Sequence, residues 1–409
     1  MTIRVFWVWV HRWTGLFMAG FLIVVALTGS LLAFWLEINH WLTPELYPGE
    51  RPGVALDAAT LAQRAETILP NARVTGVYLG YPGSAMISVE PRDGAPELDF
   101  EFLHLDTING HERGRVTWHS LPRRKSDIMP FVYGLHMYLA MAGVGDWILG
   151  AVALMWTLDC FVGFYLTLPP PAGRARKSFL SRWACAFKIK RGGSFYRLNF
   201  DLHRAGGLWL WPLLFVFAWS GVYFLLPSVY AGVTGRLFDY SSLEPPAAVV
   251  SSAASPASMD FAAAQEVGRR LMAEQASQKG FAIERPVALT WFEDQGLYEY
   301  RIHSSRDIGD RGGATAVFFD SRSGELKRLK LPSGERRGDT LTTWLVELHT
   351  ANVFGLHYRI FVSALGLCVA GLSVTGVYIW WKKRSARLAH QTVSKEARGG
   401  LIGKSYEYT

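Results

Sequence analysis

Eleven histidines occur in this 409-residue chain, and four of them stand in duplicated places. His11 is the second residue of Val10–Gly29 (VHRWTGLFMAGFLIVVALTG), and His203 is the second residue of Leu202–Gly221 (LHRAGGLWLWPLLFVFAWSG). The spacing to the closing glycine is the same, since 29 − 11 and 221 − 203 both give 18. His136 (YGLHMY) and His349 (VELHTA) form a second pair, with downstream glycines at 163 − 136 and 376 − 349, both 27. A histidine at the rim of a membrane helix is costly unless it is used. Two imidazoles, one from each repeat, are what a six-coordinate b-type haem iron needs. We therefore expect His11 with His203, and His136 with His349, to ligate iron in two bound haem b groups. The chain has no CxxCH, so these haems would be held without covalent attachment.

Any one of these histidines alone reads equally as an interfacial residue bonded to headgroups or water. Duplication of both pairs is what favours ligation. His357 complicates the second pair. It lies eight residues past His349, on nearly the same helix face and about 12 Å deeper at 1.5 Å per residue. It has no counterpart, because Val144 takes the matching place, so His349 is preferred and His357 stands as the alternative ligand. Arg12 and Arg204 directly follow the inner histidines. Each could pair with a haem propionate or serve as a snorkelling interface anchor. Arg123, Arg124 and Lys125 precede His136, and Arg336 and Arg337 precede His349, as outer basic clusters with either an anionic partner or an ordinary surface role. His40, His104, His111, His119 and His303 lack metal-ligand spacing and read as surface or hydrogen-bonded residues.

The elements that must position these residues are long apolar runs. Half the residues are hydrophobic, with 16 Trp and 24 Phe, and mean hydropathy is +0.13. That composition, gathered into runs, is a membrane signature. Four segments reach the roughly 20 residues needed to cross a bilayer: Trp13–Leu36, Val144–Leu168, Leu208–Leu226 and Ile360–Trp381. The first is too long for a signal-peptide core and reads as an uncleaved helix. A loop with Arg174, Arg176, Lys177, Arg182, Lys188, Lys190, Arg191 and Arg197 against one acid, Asp201, separates spans two and three. The tail carries Lys382, Lys383, Arg384 and Arg387. Both should be cytoplasmic, which places the two large segments between spans outside, in the periplasm of a bacterial inner membrane.

Each outer segment reads as a small α+β unit. In the first, Asp57 starts a helix to Leu69, strands follow at Arg73–Leu79, Ala85–Glu90 and Leu98–Leu105, and Asp106–Gly110 (DTING) turns. In the second, Asp260–Ala276 is the helix, the strands are Val287–Phe292, Tyr298–Ile302 and Thr315–Phe319, and Asp320–Gly324 (DSRSG) is the matching turn. Ala247–Ser258 is a linker rich in Ala, Ser and Pro. The order helix, outer unit, helix thus occurs twice, as a duplicated domain. The expected fold is an integral-membrane, α-helical four-helix transmembrane bundle with two α+β periplasmic units. Its segments are 1–36 (helix 1), 37–130 (outer unit 1), 131–168 (helix 2 with an outer extension), 169–202 (basic loop), 203–226 (helix 3), 227–344 (outer unit 2), 345–381 (helix 4 with an outer extension) and 382–409 (tail).

Several functions are not supported. The three cysteines, Cys160, Cys185 and Cys368, lie outside the outer units and offer no disulfide framework. No GxGxxG after a strand and no GxxxxGK[ST] marks a nucleotide site. The basic excess of +8 sits in particular loops and does not point to nucleic acid. No Ser-His-Asp or paired-carboxylate arrangement suggests a hydrolase.

The chain resembles the PepSY-associated transmembrane-helix family, the iron-regulated membrane proteins, and within it the ferric-siderophore reductases of the FoxB type. The residues that carry this are HRWTG with ALTG, HRAGG with WSG, LHMYLAMAGVGDWILG ending in FVGFYL, and LHTANVFGLHYRIFVSALGL ending in VTGVYIWWKKR. The resemblance spans nearly the whole chain before the tail. It implies PepSY-like outer units and points to the same four histidines as ligands, His357 being a departure from the family pattern. The expected function is a di-haem b oxidoreductase that reduces ferric siderophores on the periplasmic side. Its partners would be the ferric siderophore, membrane lipid, and a quinol or cytoplasmic reductase as donor. The alternatives are a PepSY-type periplasmic binding module and a siderophore or haem permease without redox activity. The permease is disfavoured by four spans with no broken helix and no intramembrane acid pair.

Overall fold

A computed structural model describes residues 2–49, 51–118, 120–170, 178–241 and 259–403, the last fifteen of these by their backbone alone. Arg174, Arg176, Lys177, His119 and the Ala247–Ser258 linker lie outside the described residues. In chain order the main elements are α1 (Ile3–Leu32), α2 (Trp35–Leu42), α3 (Ala58–Ile68), β1 (Ala72–Tyr81), β2 (Ser84–Pro91), β3 (Phe102–Asp106), β4 (Glu112–Val116), α4 (Ile128–Tyr138) and α5 (Val144–Thr167). They continue with α6 (Phe179–Trp183), α7 (Phe195–Trp209), α8 (Trp211–Leu225), α9 (Pro227–Leu237), α10 (Phe261–Lys279), β5 (Ile283–Phe292), β6 (Leu297–Ser304), β7 (Thr315–Asp320), β8 (Leu326–Lys330), α11 (Arg337–His349) and α12 (Gly355–Gly403).

The chain divides into two compact units. The first, helical, comprises Met1–Leu27, Trp147–Leu225 and Ala364–Thr409. Its core joins Met18 and Leu22 of α1 to Val152 of α5 and Val369 of α12, with Phe21, Trp156 and Leu214 against them. On α8, Ala218, Ser220 and Val222 are buried, and a side chain at Gly221 would begin 3.1 Å from Ala153 Cβ. Small residues at such contacts let helix backbones approach closely.

Among the described residues, three helices are long and apolar enough to cross a membrane: Ile3–Leu32, Val144–Thr167 and Gly355–Leu388. The expected third span, 203–226, is not one straight helix. It is α7 and α8, bent by 69° at Leu210. The cause is Pro212, in the first turn of α8, which cannot donate to Leu208 O and whose ring crowds that carbonyl. Alone, the 15 residues of α8 extend about 22 Å at 1.5 Å per residue, short of the roughly 30 Å hydrocarbon layer. The first span also begins earlier than expected, at Ile3, because Ile3–Val10 is apolar enough to continue the helix backwards. His11 therefore lies inside α1, not at its end.

The second unit comprises Thr28–Asp146 and Leu226–Ser363. The strands of the two expected α+β units, 37–130 and 227–344, join in one eight-stranded sheet in the order β4-β3-β2-β1-β5-β6-β7-β8. The halves join through antiparallel β1 and β5, with Gly76 opposite Thr290, Val77 opposite Leu289 and Tyr78 opposite Ala288. α3 and α10 cover one face over a shared core that includes Leu61, Val77, Leu103, Met272, Leu289 and Val317. Gln265 of α10 accepts a hydrogen bond from Ala59 N of α3 at 3.0 Å.

Caps and turns correspond between residues 57–110 and 260–324. Asp57 accepts from Thr60 N and Asp260 from Ala263 N, each at 2.8 Å, as N-caps. Asp106 and Asp320 each accept from the N–H groups two and three residues on. Gly110 and Gly324 close these turns at φ +71° and +69°, where a side chain would be strained. The edge strands β4 (ERGRV) and β8 (LKRLK) were not anticipated. They are short and charged, which protects a sheet edge but erases the alternation that marks a strand.

Candidate functional site

His11 of α1 and His203 of α7 face each other in the helical unit, ring centroids 6.2 Å apart with planes at 57°. They line a cavity of about 500 Å³, within the range of roughly 300–1,000 Å³ usual for cofactor pockets. The ring nitrogens are differently engaged. His203 Nδ1 lies 3.0 Å from Leu372 O and 3.1 Å from Thr375 Oγ1. A carbonyl only accepts, so His203 Nδ1 carries the proton and Nε2 the lone pair. His11 Nδ1 lies 2.9 and 3.0 Å from the two carboxylate oxygens of Asp159, which fixes the same tautomer. A metal-ligating histidine anchored through its other N–H shows this pattern.

Room for the rings comes from glycines on neighbouring helices. Gly163, counted from His136, sits against His11: a side chain there would begin 3.6 Å from His11 Cε1. Gly376, counted from His349, sits against His203, at 3.2 Å by the same measure. Trp156, Trp211 and Trp380 also line the cavity.

Arg12 and Arg204 both line this cavity, with Arg4 and Lys383. Arg204 is already engaged. Its guanidinium pairs with Asp201 at 2.9 Å and donates to the carbonyls of Cys185, Ala186 and Lys188. Asp201 is fully buried, holds Arg197 as well, and accepts from Lys190 N. Arg204 is thus a local staple of the basic loop. Arg4 donates to Leu166 O and Leu168 O. Sequence reasoning missed Asp159, Arg4 and Lys383. Asp159 carried a signal: a carboxylate inside an apolar run (MWTLDCFVGF) is expensive and marks a used position.

His136 of α4 and His349 of α11 face each other in the second unit, ring centroids 6.1 Å apart and planes at 67°. His136 Nδ1 lies 3.1 Å from Thr28 Oγ1. A side chain at Gly29 would begin 2.9 Å from His136 Cε1. Burial, with the neighbouring His136 ring, pushes the His349 pKa down to about 3, so the ring is neutral at pH 7, as a ligand must be. The backbone after both histidines is unusual. Among the described residues, the non-glycine positions with positive φ are Leu139, Ala140, Ala351 and Phe354. Such outliers cost free energy and concentrate at functional sites.

His357 does not share a helix with His349. α11 ends at His349 and α12 starts at Gly355, so the shared face expected for these two residues does not exist. His357 is exposed, and the ring opposite His136 is that of His349. Two of the basic residues that precede these histidines pair with carboxylates: Arg124 reaches Asp99 at 3.5 Å and Arg336 reaches Asp239 at 3.8 Å. His104, expected to be an ordinary surface or hydrogen-bonded residue, is fully buried. Its Nδ1 meets Ser84 Oγ at 3.0 Å, its Nε2 has no hydrogen-bond partner among the described residues, and burial pushes its pKa down to about 4.

An iron held between two imidazoles by metal–nitrogen bonds of roughly 2 Å sets their ring centroids about 6 Å apart. Both pairs meet this separation, and His11 and His203 line a cavity of suitable size. Among the described residues no group of three or more His, Cys, Asp or Glu gathers as a metal site. Two-histidine sites suit a group that brings its own equatorial ligands. The residues fit haem.

A family model described as the PepSY-associated TM region matches residues 8–383. No curated protein matches the sequence.

Proposed function

From its membership of the family of the PepSY-associated TM region, to which the chain belongs over residues 8–383, we propose that this membrane protein is a di-haem b ferric-siderophore reductase. The reading places it in a bacterial inner membrane as a four-helix bundle from an internal duplication, with both termini cytoplasmic and the sheet unit, as the PepSY-like part, in the periplasm. The observation that carries it is the pair of facing imidazoles at 6.2 and 6.1 Å.

Bound at each pair, haem b supplies a one-electron iron couple. His11 and His203 would hold the inner group and His136 and His349 the outer one. Asp159 and Leu372 O keep the inner imidazoles turned. Arg12 and Lys383 line the cavity and suit propionate carboxylates. In the net reaction a quinol loses two electrons and two protons to become a quinone. Two siderophore-bound ferric ions each take one electron and become ferrous. The lower charge weakens binding to hard oxygen ligands and frees the iron. The chain carries no nucleotide fingerprint, so the donor is a separate molecule, a quinol or a cytoplasmic reductase.

The test is the absorption spectrum and haem content of the purified protein. Two acid-extractable haems per chain with a six-coordinate, low-spin spectrum are expected. A ratio near one removes the two-site version, and a colourless protein removes the proposal. The break between α7 and α8 favours a second reading, a siderophore or haem permease, because discontinuous helices are common in carriers. A colourless protein that moves siderophore across a vesicle membrane would establish it.

A further inference from the structure

We infer that Asp159 is a positioning residue that makes the two ligands of the inner pair inequivalent and lowers the reduction potential of the haem held there. This rests on the haem reading above. Asp159 is the one carboxylate of α5 beyond its first turn. Its side chain is nine-tenths buried, at 10 % exposure. Both its oxygens lie within hydrogen-bond distance of His11 Nδ1, at 2.9 and 3.0 Å, and Thr14 Oγ1 lies 3.2 Å from Oδ1. Burying a carboxylate in an apolar helix carries a large desolvation cost, so a residue kept there needs a use.

The repeat shows what that use is. Asp159 stands four residues before Gly163, which packs against His11. Four residues before Gly376, which packs against His203, stands Leu372. Leu372 also accepts the partner's Nδ1 bond, at 3.0 Å, but with its backbone carbonyl. The two halves therefore place an acceptor at the same register and differ in its charge. A carbonyl orients an imidazole. A carboxylate orients it, raises its basicity as a ligand and sets a negative charge beside the site. Basicity and charge both favour the oxidised, more positive iron, so the inner potential falls.

The test compares Asp159→Asn, which keeps an acceptor and removes the charge, with Asp159→Leu, which copies Leu372 and removes both. Full-length protein in detergent is titrated optically for the two haem midpoint potentials, and low-spin EPR reports the axial ligands. In Asp159→Asn one potential should rise and the other stay, with two haems and a six-coordinate spectrum retained. Asp159→Leu should raise the same potential and retain that haem on the order of 10- to 100-fold less tightly, as for other lost outer-shell partners. A purely structural role would leave both potentials of Asp159→Asn at their wild-type values, which overturns the inference while the haem reading stands. Wild-type protein without haem overturns both.

Discussion

The imidazole of His203 lies against the backbone of Gly376, where a side chain would begin 3.2 Å from Cε1. Gly163 stands in the same relation to His11 at 3.6 Å, and Gly29 to His136 at 2.9 Å. The glycine requirement is thus steric and graded. Gly29→Ala should displace His136 and lose the outer haem, Gly376→Ala should weaken the inner one, and Gly163→Ala should stay near wild type. Haem content and the fraction of six-coordinate spectrum check this order. Equal effects at all three would mean that the rings are free to yield.

His203→Ala and His349→Ala should both block siderophore reduction by a cytoplasmic donor in proteoliposomes. With a reductant confined to the outer face, His203→Ala should still reduce siderophore and His349→Ala should not. His357→Ala should leave the spectrum unchanged, because His357 is exposed on a separate helix from His349. A six-coordinate spectrum that survives in His349→Ala and disappears in the His349→Ala, His357→Ala double variant would give His357 the ligand role. Equal siderophore reduction by both single variants would show that the outer pair is not the exit.

Asp106 links the turn after β3 to two cations. Burial alone would raise its pKa, but the N–H groups of Ile108 and Asn109 and the Arg51 and Arg113 guanidiniums outweigh this and hold it well below the carboxylate range. A carboxyl lowered in the folded state contributes stability that is complete above its unfolded pKa of about 3.9 and is lost as pH falls towards the folded value. Asp106→Ala should destabilise the sheet by roughly 1.5–3 kcal/mol at pH 7, the usual range for hydrogen bonds to a charged group. The difference should shrink below about pH 4. Tryptophan fluorescence during thermal unfolding across that pH window measures both. A deficit that stays constant with pH would remove the ion pairs from the explanation.

A reporter fused after Lys188 should read cytoplasmic, and one inserted at Ser255, in the Ala247–Ser258 linker outside the described residues, should read periplasmic. The reverse pattern would invert the orientation and exchange the entry and exit pairs.

Part of the geometry was legible in the sequence. Residue type and equal spacing alone matched His11 with His203 and His136 with His349, whose rings face each other, and located the caps at Asp57 and Asp260. These are local or self-repeating signals, readable along one strand of text. Three things were not. β1 pairs with β5, some 200 residues away, and alternation of apolar residues says which face is buried but not which strand lies alongside. Hydropathy reports apolarity rather than direction, so α7 and α8 looked like one span although Pro212 marked the break. Equal histidine-to-glycine spacings marked which segments correspond but not which ring each glycine meets. A helix carries a ligand and a glycine on one chain, but packing decides which ring each glycine faces. Asp159 shows the limit most plainly. Its burial cost could be read from the apolar run around it, while its partner, 148 residues earlier, was chosen by the close approach of α1 and α5.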